Sequence, residues 1–449
     1  MLLYATASLR FSVTRKNIEL VRPTKPTPHE SKLLSDIDDQ EANRIDLPTI
    51  PFYRRREPPL ERKDPVKVIR DSLAVALVFY YPLAGRLREL RGRKLMVECT
   101  SERMLFIEAD ASVKLEEFGE DGIRPPSIPC LDQLIYVVPS SSGIINSPLR
   151  LIQVTRLICD GFILAICFNH TKLDGFALIK ILTAMGEIAR GILTPSVLPI
   201  WQRELFCSRH PPRITHIHPE YDQFPNEIRV PRYLHKPDSL IPRSFFFGPE
   251  EISTLMSKLV SNNSRKISSS FNLVAACVWC CRTIVLQFDP TDEVRFLCVV
   301  RPLIPITTAG ELVENVDFAV ELISKIKFKA TKEHLHSVAD FMVLKGRPPF
   351  SLVRTYVVSD NTSITNENVD FGWGKSESAS VASFDGVPSD VSFYIPFEIK
   401  NSDHGGKGIM VPISLPAEAM ERFAEELGIM LNNGDKFDAG RNGSVRSAL

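Results

Sequence analysis

The sequence predicts an α/β protein made of two similar-sized domains joined by an irregular crossover. Three observations lead there. The chain has 449 residues, which by ordinary domain sizes is two domains' worth of chain. Strand-like and helix-like apolar patterns interleave along its length, with no repeat at solenoid periods. Between residues 194 and 242 the patterning fades into a proline-rich stretch, the mark of a connection rather than a core element. The expected division is a first domain over 1–193, the crossover 194–242, a second domain over 243–431 and a polar, disordered tail over 432–449.

The elements follow in order. Asp64-Pro65 opens a helix, with Asp64 as cap and Pro65 at the first helical position. Ile69, Leu73, Leu77 and Tyr80 then share one face, and Pro82 ends it. Ile152, Val154 and Ile158 predict a strand face, Asp160-Gly161 a tight turn, and Phe162 to Phe168 an unbroken apolar strand buried on both sides. A helix begins after Asp174, with Leu178, Ile181, Leu182, Met185 and Ile188 at helical spacing and Gly191 as its stop. Beyond the crossover, Ile252, Leu255, Met256 and Leu259 predict a helix, and Phe271 to Ile284 a second, apolar one. Strands follow near Val391–Phe397 and Ile409–Leu415. A last helix starts at Pro416 and carries Met420, Phe423 and Leu427 on one stripe.

Composition excludes several function classes. Lys+Arg and Asp+Glu both total 54, for a net charge of zero, so there is no bulk attraction to nucleic acid or an anionic membrane. No apolar stretch approaches a bilayer-spanning length. The start lacks the basic and apolar regions of a secretory signal, and Ser447-Ala448-Leu449 matches a peroxisomal address only loosely. The cysteines, nine in all, form no framework, which suits free thiols and a cytoplasmic protein. No G-x-S-x-G elbow is present. Lys375-Ser376 cannot close a phosphate loop, because Val369 stands where its first glycine should be. Cys207, His210, His216 and His218 match no zinc spacing, and His334 and His336, two apart on a helix, diverge. No metal is expected.

Two motifs remain. His170-Thr171-Lys172-Leu173-Asp174 leaves the buried strand. An imidazole there, neutral near pH 7, can take a proton from a hydroxyl. The same spacing equally fits a satisfied core histidine with Asp174 capping the next helix. Asp370-Phe371-Gly372-Trp373-Gly374 fixes a large ring between two glycines, which also fits a plain structural turn.

Together and in this order, the two motifs resemble the H-x-x-x-D and D-F-G-W-G motifs of the plant BAHD acyltransferases. The likeness extends along nearly the whole chain. Pro23 to Pro28 followed by Leu34-Ser35-Asp36-Ile37-Asp38-Asp39-Gln40, Tyr80 to Leu87, Lys345-Gly346-Arg347-Pro348 and Val358-Ser359-Asp360-Asn361 are similar to the alcohol acyltransferase and benzyl alcohol O-benzoyltransferase branch.

The resemblance implies two mixed-sheet domains, chloramphenicol acetyltransferase-like, with a channel at their interface. It implies transfer of a benzoyl or acetyl group from acyl-CoA, a co-substrate rather than a resident cofactor, to benzyl or a short aliphatic alcohol. It implies His170 as base, Asp174 as its structural support through an ion pair with an arginine, and Asp370 as a structural motif residue. Phe371, Gly372, Trp373 and Gly374 would shape coenzyme A binding. A monomer without nucleic-acid or membrane partners is expected.

One departure stands out. After Val300 the family's Asn-x-Arg element and glycine-rich loop are missing, and Arg301-Pro302 follows directly. The usual arginine partner of Asp174 goes with them, and Arg301 is its candidate substitute. Two functions therefore stay open at the level of sequence: an active acyltransferase, and a non-catalytic acyl-CoA-binding relative or truncated product.

Overall fold

Two mixed sheets carry the fold, and the unbroken apolar run 162–168 lies at the heart of the first. The computed structural model describes residues 9–55, 63–119, 123, 128–136, 144–145, 150–222, 240–299, 304–365, 368–377, 391–399 and 406–432. The first sheet contains β1 (Val13–Val21), β3 (Asp46–Thr49), β4 (Phe52–Tyr53), β7 (Met104–Ala111), β8 (Arg150–Arg156) and β9 (Phe162–Asn169). Its order is β1-β7-β8-β9-β3, with β4 also on β9. Pairing of β7 with β8 is parallel and that of β8 with β9 antiparallel. A small sheet of β2 (Glu30–Leu33), β5 (Arg86–Glu89) and β6 (Leu95–Cys99) flanks it.

Strand alternation explains the apolar run of β9. Phe162, Leu164, Ile166 and Phe168 join one core with α1 (Pro65–Phe79) and α3 (Gly175–Ala189), while Ile163 and Ala165 join a separate core on the opposite face. Helix α1 starts as expected, with Asp64 accepting a hydrogen bond from the Val66 amide. The hairpin differs in detail. Strand β8 stops at Arg156, so Ile158 is not on its face but 58% exposed in the loop. That loop closes through Leu157 N–H to Gly161 O at 2.9 Å, with Asp160 in the left-handed region. The short α2 (Leu131–Leu134) lies between β7 and β8 in sequence.

The second sheet contains β10 (Leu240–Phe247), β11 (Glu293–Cys298), β12 (Ile306–Thr308), β13 (Thr355–Asp360), β14 (Val391–Ile399) and β15 (Gly406–Pro416), in the order β10-β15-β14-β13-β11-β12. The crossover ends sooner than its prolines suggest, because β10 begins at Leu240 and includes Pro242. This is the sheet's edge strand, where a missing amide is tolerated. Helices α4 (Pro249–Lys258), α5 (Asn262–Ile267), α6 (Ser270–Val285), α7 (Ala309–Glu314), α8 (Val316–Lys329), α9 (Lys332–Lys345) and α10 (Ala417–Leu431) complete the domain. Nearly all of α6 is buried, and its side chains share one core with α4, α8, α10 and the sheet. An apolar helix without a polar face is accounted for by that central position.

Strand β11 ends where the sequence departs from the family pattern. The Val299 amide still donates to Val358 O at 3.0 Å, and β12 returns antiparallel along β11. Residues 300–303, Arg301 and Pro302 among them, and the tail from 433 onward lie outside the described residues. No helix of the described residues is long and apolar enough to cross a membrane.

Candidate active site

His170 is the residue just beyond β9, and its amide donates to Ile45 O at 2.9 Å. The turn it starts is tied down residue by residue. Asn169 is buried. Its amide group donates to Asp46 Oδ1 at 3.0 Å, and its Oδ1 accepts from both the amide and the hydroxyl of Thr171. Lys172 and Leu173 amides both point back to Asn169 O. Lys172 is buried and donates through Nζ to Pro82 O at 3.3 Å.

The imidazole itself is partly buried, and its buried Nδ1 has no hydrogen-bond partner among the described residues. Burial holds its pKa below the ordinary histidine value, while the carboxylates of Asp174 and Asp38 act in the opposite direction. A ring so placed is neutral at pH 7, the form a proton acceptor needs.

Asp174 is exposed, not buried, and its candidate partner Arg301 lies outside the described residues. Asp174 Oδ1 accepts the Ala177 amide at 2.7 Å as the N-cap of α3. No ion pair to Asp174 occurs among the described residues, and an exposed carboxylate needs none. The penalty of a buried uncompensated charge therefore does not arise. Helix α3 ends at Ala189, with Gly191 beyond it at φ 93°.

Asp370 to Gly374 lies in the second half of the sequence yet docks on the first domain. Val369, Phe371 and Trp373 belong to the core of α1, α3 and β9. The Phe371 ring meets Tyr53 edge-on at 5.7 Å and Trp373 meets Phe162 at 5.2 Å. Asp370 shapes its own loop, with Oδ1 accepting the amides of Gly372 at 2.7 Å and Gly374 at 2.8 Å. Both glycines have positive φ, 105° and 87°, so a side chain at either would be strained. The Asp370 carbonyl receives Arg190 from the end of α3 and passes so close to Gly186 that a Cβ there would stand 2.6 Å from it. Asp370 is thus a loop organiser. Phe371 is 2% exposed and packs into the first domain's core. Gly372, Trp373 and Gly374 are each at least partly exposed.

The histidines of the crossover group differently from their sequence clusters. His334 turns toward the crossover and meets the rings of His216 and His218 at 5.3 and 5.2 Å. Ligand atoms of His218, Glu220 and His334 lie within 4.8 Å of one another, all buried. Hydrogen bonding nevertheless settles the His218 tautomer. Ser337 Oγ already accepts the amides of Thr215 and His216, at 2.9 and 3.0 Å. Its own hydrogen is left for His218 Nε2 at 2.8 Å, so Nδ1 carries a proton and donates to Glu220 at 3.0 Å. Both ring nitrogens are engaged, and the group works as a latch between crossover and α9.

Sequence reasoning did not foresee the role of Ser35 to Gln40. Asp36 holds Lys94, Arg347 and the Ser208 amide, and Asp39 holds Arg44 and the Leu95 amide. Gln40 accepts the Tyr221 hydroxyl at 2.8 Å. Asp38 holds Arg203 of the crossover, at 2.6 Å. The density of acids in that segment was the available signal, but their partners are remote in sequence.

Comparison with known proteins agrees with this architecture. A model of the Transferase family matches residues 11–302 and 299–430, two stretches that meet where the sequence lacks the loop. Benzyl alcohol O-benzoyltransferase of Nicotiana tabacum is 48% identical and that of Petunia hybrida 46%, each over 99% of both chains. The alignment to the tobacco protein runs over 467 positions, more than this chain has. Alcohol acyl transferase 1 allele RGb of Malus domestica is 43% identical over 92% of this chain and 94% of its own. Among solved structures, vinorine synthase superposes with a TM-score of 0.67 at 20% identity, covering 95% of this chain and all of its own. That likeness shows the shared fold. On these matches, the chain belongs to the BAHD transferase family, in its alcohol acyltransferase branch.

Proposed function

We propose that this chain moves a benzoyl or acetyl group from coenzyme A to benzyl alcohol or a short aliphatic alcohol, with His170 as general base. The observation that carries the reading is the imidazole held neutral by burial at the rigid end of β9, in a chain whose relatives along its full length are alcohol acyltransferases. A thioester is already activated, so no covalent enzyme intermediate is needed. His170 takes the hydroxyl proton as the alcohol oxygen attacks the thioester carbonyl. The tetrahedral intermediate collapses by breaking the carbon–sulfur bond, and the proton held on His170 returns to the departing thiolate. Asp174 supports the base by fixing the start of α3 immediately after it. Gly372, Trp373 and Gly374 are the part of their motif open to coenzyme A. Acyl-CoA comes and goes as a co-substrate. We place the chain in the cytoplasm as a monomer; the absence of a disulfide-framework spacing among the cysteines in its sequence supports the first part.

The break at 299–302 favours one second reading, an acyl-CoA-binding relative without turnover. The test offers benzoyl-CoA or acetyl-CoA with benzyl alcohol, ethanol and butanol, and measures thiol release and ester. Ester from the wild type, lost in His170→Ala, is the expected result. Folded protein that binds acyl-CoA and forms no ester would support the second reading.

A further inference from the structure

The turn that carries His170 is gripped from outside by one side chain. Arg203 stands in the crossover, in a short 3-10 turn spanning Arg203–Phe206. Its Nη1 donates to Thr171 O at 3.0 Å and to Asp38 Oδ2 at 2.6 Å, and its Nη2 donates to Lys172 O at 2.5 Å. Thr171 and Lys172 are buried, at 0% and 3% exposure, so solvent does not readily replace this donor. The Trp201 ring lies 4.5 Å from the guanidinium carbon and covers one face. Asp38 is itself fixed, with Ser35 Oγ donating to it at 2.6 Å.

We propose that Arg203 is a positioning residue for His170: anchored by Asp38, its planar fork grips the two carbonyls after the histidine and fixes where the imidazole stands. A guanidinium suits this task because its donors diverge in one rigid plane, which an ammonium cannot reproduce. The role is the one the resemblance gives to an arginine paired with Asp174. Here Asp174 is exposed and capping, and the grip comes from the crossover. The proposal rests on His170 being the base.

The arrangement has an electrostatic consequence that plain scaffolding would lack. The carboxylates that act on the His170 imidazole are those of Asp174, two residues past Lys172 on its own turn, and Asp38, on the 35–40 segment, and Asp38 is ion-paired with Arg203. The Asp38 carboxylate favours the charged imidazole, and Arg203 offsets it. Removing Arg203 leaves that carboxylate uncompensated, so His170 holds its proton to higher pH.

The test compares wild type, Arg203→Met, Arg203→Lys and the Asp38→Asn/Arg203→Met pair. It follows the His170 imidazole resonance against pH, assigned through His170→Gln, alongside kcat and KM for CoA release and thermal melting. Arg203→Met is expected to raise the titration midpoint by about half a pH unit or more and to lower kcat ~10-fold or more with KM for the acyl donor held. The double variant should return the midpoint toward wild type without restoring kcat, because the carbonyls remain ungripped. Arg203→Lys should keep the midpoint and recover part of kcat. A folded Arg203→Met with midpoint and kcat unchanged overturns the proposal, as does a loss of kcat with the midpoint unmoved. Should Arg203→Met not fold, Asp38→Asn decides through kcat: the midpoint falls in either case because the carboxylate acts on His170 directly, but kcat drops only if the anchored grip positions the base and is unchanged if the proposal is wrong. The titration needs no turnover, so a wild type that releases no CoA counts against the acyltransferase reading and leaves this test standing.

Discussion

Asp174 distinguishes a helix cap from a partner in catalysis. Its side chain makes one described hydrogen bond, to the Ala177 amide at 2.7 Å, from an exposed position. Replacing it with alanine deletes that bond and leaves a first-turn amide to water, which costs about 1 kcal/mol. Asparagine keeps an acceptor oxygen and caps as well as aspartate does, so Asp174→Asn should melt within about half a kcal/mol of wild type. Charge is a separate matter. The Asp174 carboxylate favours protonated His170; without it the imidazole stays neutral to lower pH, and the acid limb of kcat/KM moves down. Both variants should therefore retain turnover within a few-fold near neutrality, with only Asp174→Ala destabilised. The assay is thermal melting together with CoA release from pH 5 to 9. An Asp174→Asn protein that melts normally yet loses turnover 100-fold would show that the carboxylate does more than cap, and the reading of this site would be wrong.

Other expectations follow from the same contacts. Because burial lowers the His170 pKa, the acid limb of wild-type kcat/KM should have its midpoint below the unperturbed value of about 6.5; a midpoint above 7 would contradict a buried, neutral base. Gly186→Val forces a Cβ to within 2.6 Å of Asp370 O and should cost about 1–3 kcal/mol in melting studies, whereas an unchanged melt would mean that the α3 contact with Asp370 is loose. Phe371→Ala opens a cavity in the first domain's core and should cost about 3–5 kcal/mol, measured by denaturant titration. Ser337→Ala strands the Thr215 and His216 amides and His218 Nε2, and a destabilisation of about 2 kcal/mol is expected; none would dismiss the latch.

Local signals made α1, α3, α4, α6 and α10 legible, while α5, α7 and α8 were not foreseen. Asp64-Pro65 and Asp174 each pair a capping side chain with an apolar period, and both helices begin there. Strand β9 was readable because both its faces are buried. Strand β10 was not, since Pro242 reads as a breaker unless one knows the strand lies at an edge. The site was legible in part. His170 stands where a buried strand ends, a position that periodicity reveals. Contacts that cross the chain left no local trace: Asp370 to Gly374 joining the core of α1, α3 and β9, His334 meeting His218, and Asp38 handing Arg203 to the His170 turn. Each pairs residues whose separate patterns look ordinary.

The central claim is that a neutral His170 at the end of β9 drives acyl transfer to an alcohol. Its most direct test is initial-rate CoA release from benzoyl-CoA with benzyl alcohol, comparing wild type with a His170→Ala protein of unchanged melting. The account predicts alcohol-dependent release by wild type that falls ~100-fold or more in the variant. Equal rates in the two proteins would contradict it.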